Sequence, residues 1–87
     1  MSPVRIKQFL DAQPFQPFTI VTGDGGKVSV LSREFVWLKP GHRTLVVAVP
    51  RVQGATEEDE FEEHNVDVFL ITKVVTPVQK NGRPRRK

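Results

Sequence analysis

The 87-residue chain contains no cysteine, which excludes disulfide bridges, thiolate nucleophiles and thiolate zinc sites and leaves the redox compartment open. Long apolar runs are missing too. The longest, Leu45 to Val49, falls far short of the ~20 residues a membrane-crossing helix needs, and Met1-Ser2-Pro3-Val4-Arg5 leads into no apolar stretch of the signal-peptide kind. A cytoplasmic protein with no membrane partner is the expectation. Base is scarce in the body and acid is absent from the end. Residues 1 to 76 hold eight cations against all ten acids, and six of those acids fall between Glu57 and Glu63. The last eight residues carry five cations and no acid. The net charge of +3 therefore belongs to the C-terminal segment, and it does not make the body a basic, nucleic-acid-binding surface.

A chain of this length forms one domain, near the lower end of what buries a core without metals or disulfides. Ser2 is placed to cap a helix that has Pro3 at its first position, and Ile6, Phe9 and Leu10 recur at helical spacing until Pro14 stops the pattern. The spacing predicts a helix over residues 3 to 12. So short a helix is marginal alone in water, below the ~12 residues at which isolated helices begin to hold, so its apolar stripe must pack on the rest of the chain. Pro14-Phe15-Gln16-Pro17-Phe18 is an extended bridge, since each proline fixes its own φ and keeps its predecessor out of the α region.

Phe18 to Thr22 and Lys27 to Leu31 are β-branched runs about Gly23-Asp24-Gly25-Gly26, the signature of a hairpin turning at Asp24-Gly25. Its core residues should be Ile20, Val28 and Val30, with Lys27 and Ser29 exposed. Ser32 to Phe35 breaks the alternation as a tight or 3₁₀ turn before a short strand near Val36 to Leu38. Lys39-Pro40-Gly41-His42 is a further turn. Thr44 to Val49 is apolar almost throughout, which predicts a central strand covered on both faces and ended by Pro50. Residues 51 to 65 look like a polar loop carrying the acid run, and Val66 to Val75 one long or two bent strands. Phe9, Phe15 and Phe18 should bury against the sheet. The expected class is mainly β (α+β): a short N-terminal helix followed by a small, strongly bent antiparallel sheet or a five-stranded SH3/Sm-like barrel, over residues 1 to 78, with 79 to 87 a disordered basic tail.

Pro14 to Phe18, Asp24-Gly25, Arg33-Glu34-Phe35, Arg43 to Val47 and Asp67 to Thr72 together make the chain, over about residues 3 to 76, resemble a set of small uncharacterised bacterial proteins. That resemblance implies no activity. In its order of elements alone the chain is similar to Sm-like proteins, in which a helix precedes a five-stranded barrel. Leu70-Ile71-Thr72-Lys73-Val74 has no glycine where that family carries its glycine-containing RNA-contacting motif, so the similarity does not extend to RNA contact.

None of the polar clusters forms a catalytic constellation. Gly23 to Gly26 precedes a strand, whereas a phosphate-binding glycine loop precedes a helix whose amides receive the anion. The acid run offers oxygen ligands but lacks the spacing and glycine bend of a calcium loop, and is read as a solvated loop rather than a metal site. His42 sits in a turn and His64 ends the acid run, neither beside an activated nucleophile. Trp37 is read as a core or subunit-contact residue rather than a ligand platform. The expectation is a non-enzymatic binding or assembly module with no cofactor, acting through a protein partner or self-association, with the strand at Thr44 to Val49 able to pair with another chain if it lies at an edge. The alternative is RNA or DNA binding through the tail, with Arg43, Lys73, Lys80, Arg83, Arg85, Arg86 and Lys87 as contacts.

Overall fold

The structure is a computed structural model that describes residues 1–77. The tail, and with it the expected disorder and the expected contacts at Lys80, Arg83, Arg85, Arg86 and Lys87, lies outside the described residues.

One helix, α1 (Pro3–Leu10), leads into six strands: β1 (Phe18–Thr22), β2 (Lys27–Val30), β3 (Val36–Leu38), β4 (Thr44–Pro50), β5 (Phe61–Asp67) and β6 (Ile71–Val75). They form two antiparallel three-stranded sheets, ordered β2-β1-β6 and β3-β4-β5. Short 3₁₀ turns at Arg33–Phe35 and Val68–Leu70 carry the chain from one sheet to the other. The architecture is mainly β with one helix, as expected, in the form of small antiparallel sheets; neither sheet closes into a five-stranded barrel.

The Ser2 hydroxyl accepts from the Arg5 amide at 3.3 Å, and Pro3 opens α1 at no cost in hydrogen bonds. The helix ends two residues before the expected boundary. Asp11 leaves helical geometry at φ −96°, ψ 2° while its amide still bonds the Lys7 carbonyl. Ile6 and Leu10 are buried, so one stripe of α1 lies on the core.

The β1–β2 hairpin turns where expected. Gly25, at φ +90°, takes the left-handed conformation that L side chains rarely adopt. The Asp24 carboxylate accepts from the Thr22 hydroxyl and from the Gly26 amide, a side-chain lock on the turn. Register pairs Phe18 with Val30 and Ile20 with Val28, and Ile20 and Val30 are fully buried, Val28 half-buried. Ser29 is half-buried rather than exposed, because its hydroxyl lies 3.4 Å from that of Thr19 across the strand pair.

The core between helix and sheets is apolar: Ile6, Leu10, Phe18, Ile20, Leu45, Val47 and their buried neighbours, with no buried polar group among the described residues. Phe18 is its aromatic centre. The rings of Phe9 and Phe15 lie 5.4 Å and 5.9 Å from it, tilted, and both remain half-buried as they bridge helix, linker and β1.

Two further expectations are corrected here, and one pair of alternatives narrows. Residues 61 to 65 are strand, not loop: Phe61–Asp67 pairs with the whole of β4. Its only apolar residues, Phe61 and Val66, are five positions apart and so face opposite ways, leaving no period-two signal. Strand β4 is central, as expected, and so offers no edge for another chain, but the expected cover on both faces is not found: its burial alternates and only one face is fully covered. Of the two readings of Trp37, core or subunit contact, the core reading falls. The ring stands 56% exposed between buried Val36 and half-buried Leu38, on the opposite face of the strand.

Phe18→Ala should lower stability by about 3–5 kcal/mol, a large share of the ~5–15 kcal/mol typical of a domain. Phe9→Ala and Phe15→Ala should cost less, since both rings keep solvent contact. Urea unfolding orders the three, and equal losses would contradict the burial described. Asp24 is held below the usual carboxylate range, first by the Thr22 hydroxyl and then by the Gly26 amide. A depressed folded pKa stabilises above the ordinary carboxylate value of 3.8, and that stability is lost as pH falls through the folded value. Asp24→Asn should therefore melt below the wild type at pH 7 and converge with it at strongly acidic pH. A constant gap across that range would show that the charge contributes nothing.

Candidate functional site

The parity of β4 organises the surface. Leu45 and Val47 are fully buried, so Val46, Ala48 and Pro50 face outward. Cross-strand partners extend that outer face: Trp37 and Asn65 flank Val46, Glu63 lies beside Ala48, and Phe61 beside Pro50. Trp37, Val46, Ala48, Pro50 and Phe61 thus form an apolar band on the side of the sheet away from the core. The outer face of the other sheet differs. There Thr19 pairs with Ser29, and Val21 sits between Lys27 and Lys73.

At one end of the apolar band, Phe35, Ala48 and Phe61 with Glu58 and Glu63 line an open pocket of about 390 Å³. The two rings meet edge to face at 5.1 Å. The acid run reaches this end of the sheet with its members already divided. Glu60 accepts the Thr56 and Glu57 amides, both at 3.0 Å, and these backbone donors hold its carboxyl below the usual range. Glu62 bonds the His64 ring at 3.1 Å. Glu58 and Glu63 make no ion pair among the described residues. The run is therefore a 3₁₀ turn and a strand rather than one solvated loop.

A larger open groove, about 620 Å³, runs between the β1–β2 turn and β5, lined by Asp24, Lys27, Val28, His64, Val66 and Asp67 among others. Its carboxylates are engaged: Asp24 locks the hairpin, and Asp67 accepts from Arg43 at 3.1 Å and from the Phe69 amide at 2.9 Å. The Arg43 hydrogen bond, followed by the Phe69 amide, lowers the Asp67 pKa. Among the described residues no group of three His, Asp or Glu side chains converges as metal ligands. His42 lies at φ +60° in its turn, at the other end of β4 from the acid run.

Arg43 and Lys73, the two sequence-derived nucleic-acid contacts within the described residues, lie on different elements. The Arg43 guanidinium is paired with Asp67 and lies 5.3 Å from the centre of the Phe69 ring, which is 55% exposed. Lys73 sits on β6 in register with Val21. The residues that sequence reasoning missed are those of the outer face: Phe35, Val46, Ala48 and Phe61. The signal was β4 itself, apolar at both parities, which demands cover on two faces while the core supplies one.

No helix among the described residues is long and apolar enough to cross a membrane. Comparison of the chain with protein-family models, with curated proteins and with solved structures returned no match.

Proposed function

We propose that the protein is a non-enzymatic binding module whose working surface is the outer face of β3-β4-β5, and whose partner is a protein segment with an apolar centre and cationic flanks. The observation that carries this reading is Trp37, 56% exposed beside Val46 on a face the core leaves uncovered. A large aromatic held on a rigid strand, flanked by small apolar residues, is the usual anchor of a protein interface. The acids at the edge set the partner's charge. Glu58 and Glu63 at one end, neither in an ion pair among the described residues, favour cations opposite. The reading as a binder rather than an enzyme is supported by the groove's carboxylates, which are already spent on the hairpin turn and on Arg43.

A photo-crosslinking residue at Val46, compared in the native cell with one at Thr19 on the opposite sheet, tests the surface. An adduct with a single protein, formed from position 46 only, retained after nuclease and lost in Trp37→Ser, is the expected outcome. Trp37→Ser should leave the melting temperature nearly unchanged, since the ring is outside the core. Adducts equal at both positions, or removed by nuclease, would refute the surface; the latter would point to nucleic acid bound through the tail.

A further inference from the structure

The pocket at the Phe35–Phe61 end of the outer face has a composition the apolar band does not explain. It is lined by Ala48 and two aromatic rings together with two acidic residues, Glu58 and Glu63. A purely apolar side chain would leave those carboxylates unmatched, and a short polar one would leave the rings uncovered. Arginine meets both demands, with an aliphatic stem and flat guanidinium for the rings and a planar set of donors for carboxylates.

The same chemistry is already used once in this chain. Arg43 bonds the Asp67 carboxylate at 3.1 Å while lying 5.3 Å from the Phe69 ring centre. One guanidinium is thus held between a carboxylate and an aromatic ring.

A cationic segment exists in the chain itself. Arg83, Arg85, Arg86 and Lys87 follow Gly82 within six residues. The described chain stops at Pro77, which lines a shallow groove with Arg5, Phe9 and Gln16. At ~3.3–3.6 Å per extended residue, positions 83 to 87 reach about 20–35 Å beyond it. The molecule measures 42 × 32 × 26 Å, so that reach is comparable with its two shorter dimensions. Tethering also raises the local concentration of the segment to the millimolar range, enough to populate a contact too weak to form between separate molecules.

We infer that the pocket of Phe35, Ala48 and Phe61 receives an arginine of the chain's own segment 83–87, with Glu58 and Glu63 binding its guanidinium. The inference stands apart from the partner reading, since it needs no second protein. Docked in this way, the segment covers one end of the outer face and gives that face an occupant that salt displaces.

The test uses the full-length protein and backbone amide shifts at low and high salt, in the wild type and in three variants: Arg83→Gln/Arg85→Gln/Arg86→Gln, Glu58→Gln/Glu63→Gln, and Glu62→Gln as a control on the same strand. At low salt the arginine variant should differ from the wild type at Phe35, Ala48, Glu58, Phe61 and Glu63, and the difference should vanish by roughly 0.5 M salt, where exposed charges more than a few Å apart are screened. The Glu58/Glu63 variant should shift the signals of residues 83–87 in the same sense as salt does, and Glu62→Gln should leave them alone. Because Glu58, Glu62 and Glu63 are exposed, unchanged dispersion elsewhere in the spectrum reports an intact fold. Tail signals indifferent to Glu58 and Glu63, perturbations centred on another surface, or shifts that disappear on dilution would each overturn docking within one molecule.

Discussion

Strand β4 imposes the constraint on which the rest depends. It is apolar at nearly every position and lies at the centre of its sheet, yet a two-sheet domain of this size has one core to offer. Leu45 and Val47 take that core and are completely buried. Val46 and Ala48 must then face outward, and Trp37, Phe35 and Phe61 gather beside them rather than in the interior. A strand that needed only to fold would carry polar residues at those alternate positions. The surplus of apolar surface is thus a property of the sheet's parity, and it is what turns a structural element into a binding face.

The polar groups tell the complementary story. Asp24 locks a hairpin, Asp67 holds Arg43 and caps the turn after β5, and Glu60 closes the turn before it. These carboxylates accept hydrogen bonds that fix the backbone, which is why three of them titrate below their ordinary range. They support corners between strands. Glu58 and Glu63 are left over from that work, and they lie against the apolar band where they set the charge of whatever approaches.

Much of the scaffold was legible in the residues. The Ser2–Pro3 start, the Asp24-Gly25 turn and the 3₁₀ break at Arg33–Phe35 are local events, governed by capping and φ preferences that a few neighbouring residues decide. Strand β5 was not legible, because Glu62, Glu63 and Asn65 have no preference for a strand and are recruited by the long apolar partner β4. Whether Trp37 was core or contact was undecided for a related reason. Its neighbours Val36 and Leu38 are apolar, and only the pairing of β3 with β4 reveals which parity faces in. The candidate site was invisible in turn, since its members are drawn from β3, β4, β5 and two connecting turns, and no sequence spacing brings them together.

The central claim is that the Trp37–Val46 end of the outer face stands uncovered in the free protein, and the chain's only tryptophan lies there. Acrylamide quenching of Trp37 fluorescence in the isolated protein, at low and high salt and across a dilution series, measures that cover directly. The account predicts quenching close to that of a solvent-exposed indole throughout. A blue-shifted emission that resists the quencher at every concentration would mean that the ring is buried and the face already covered, and would contradict it.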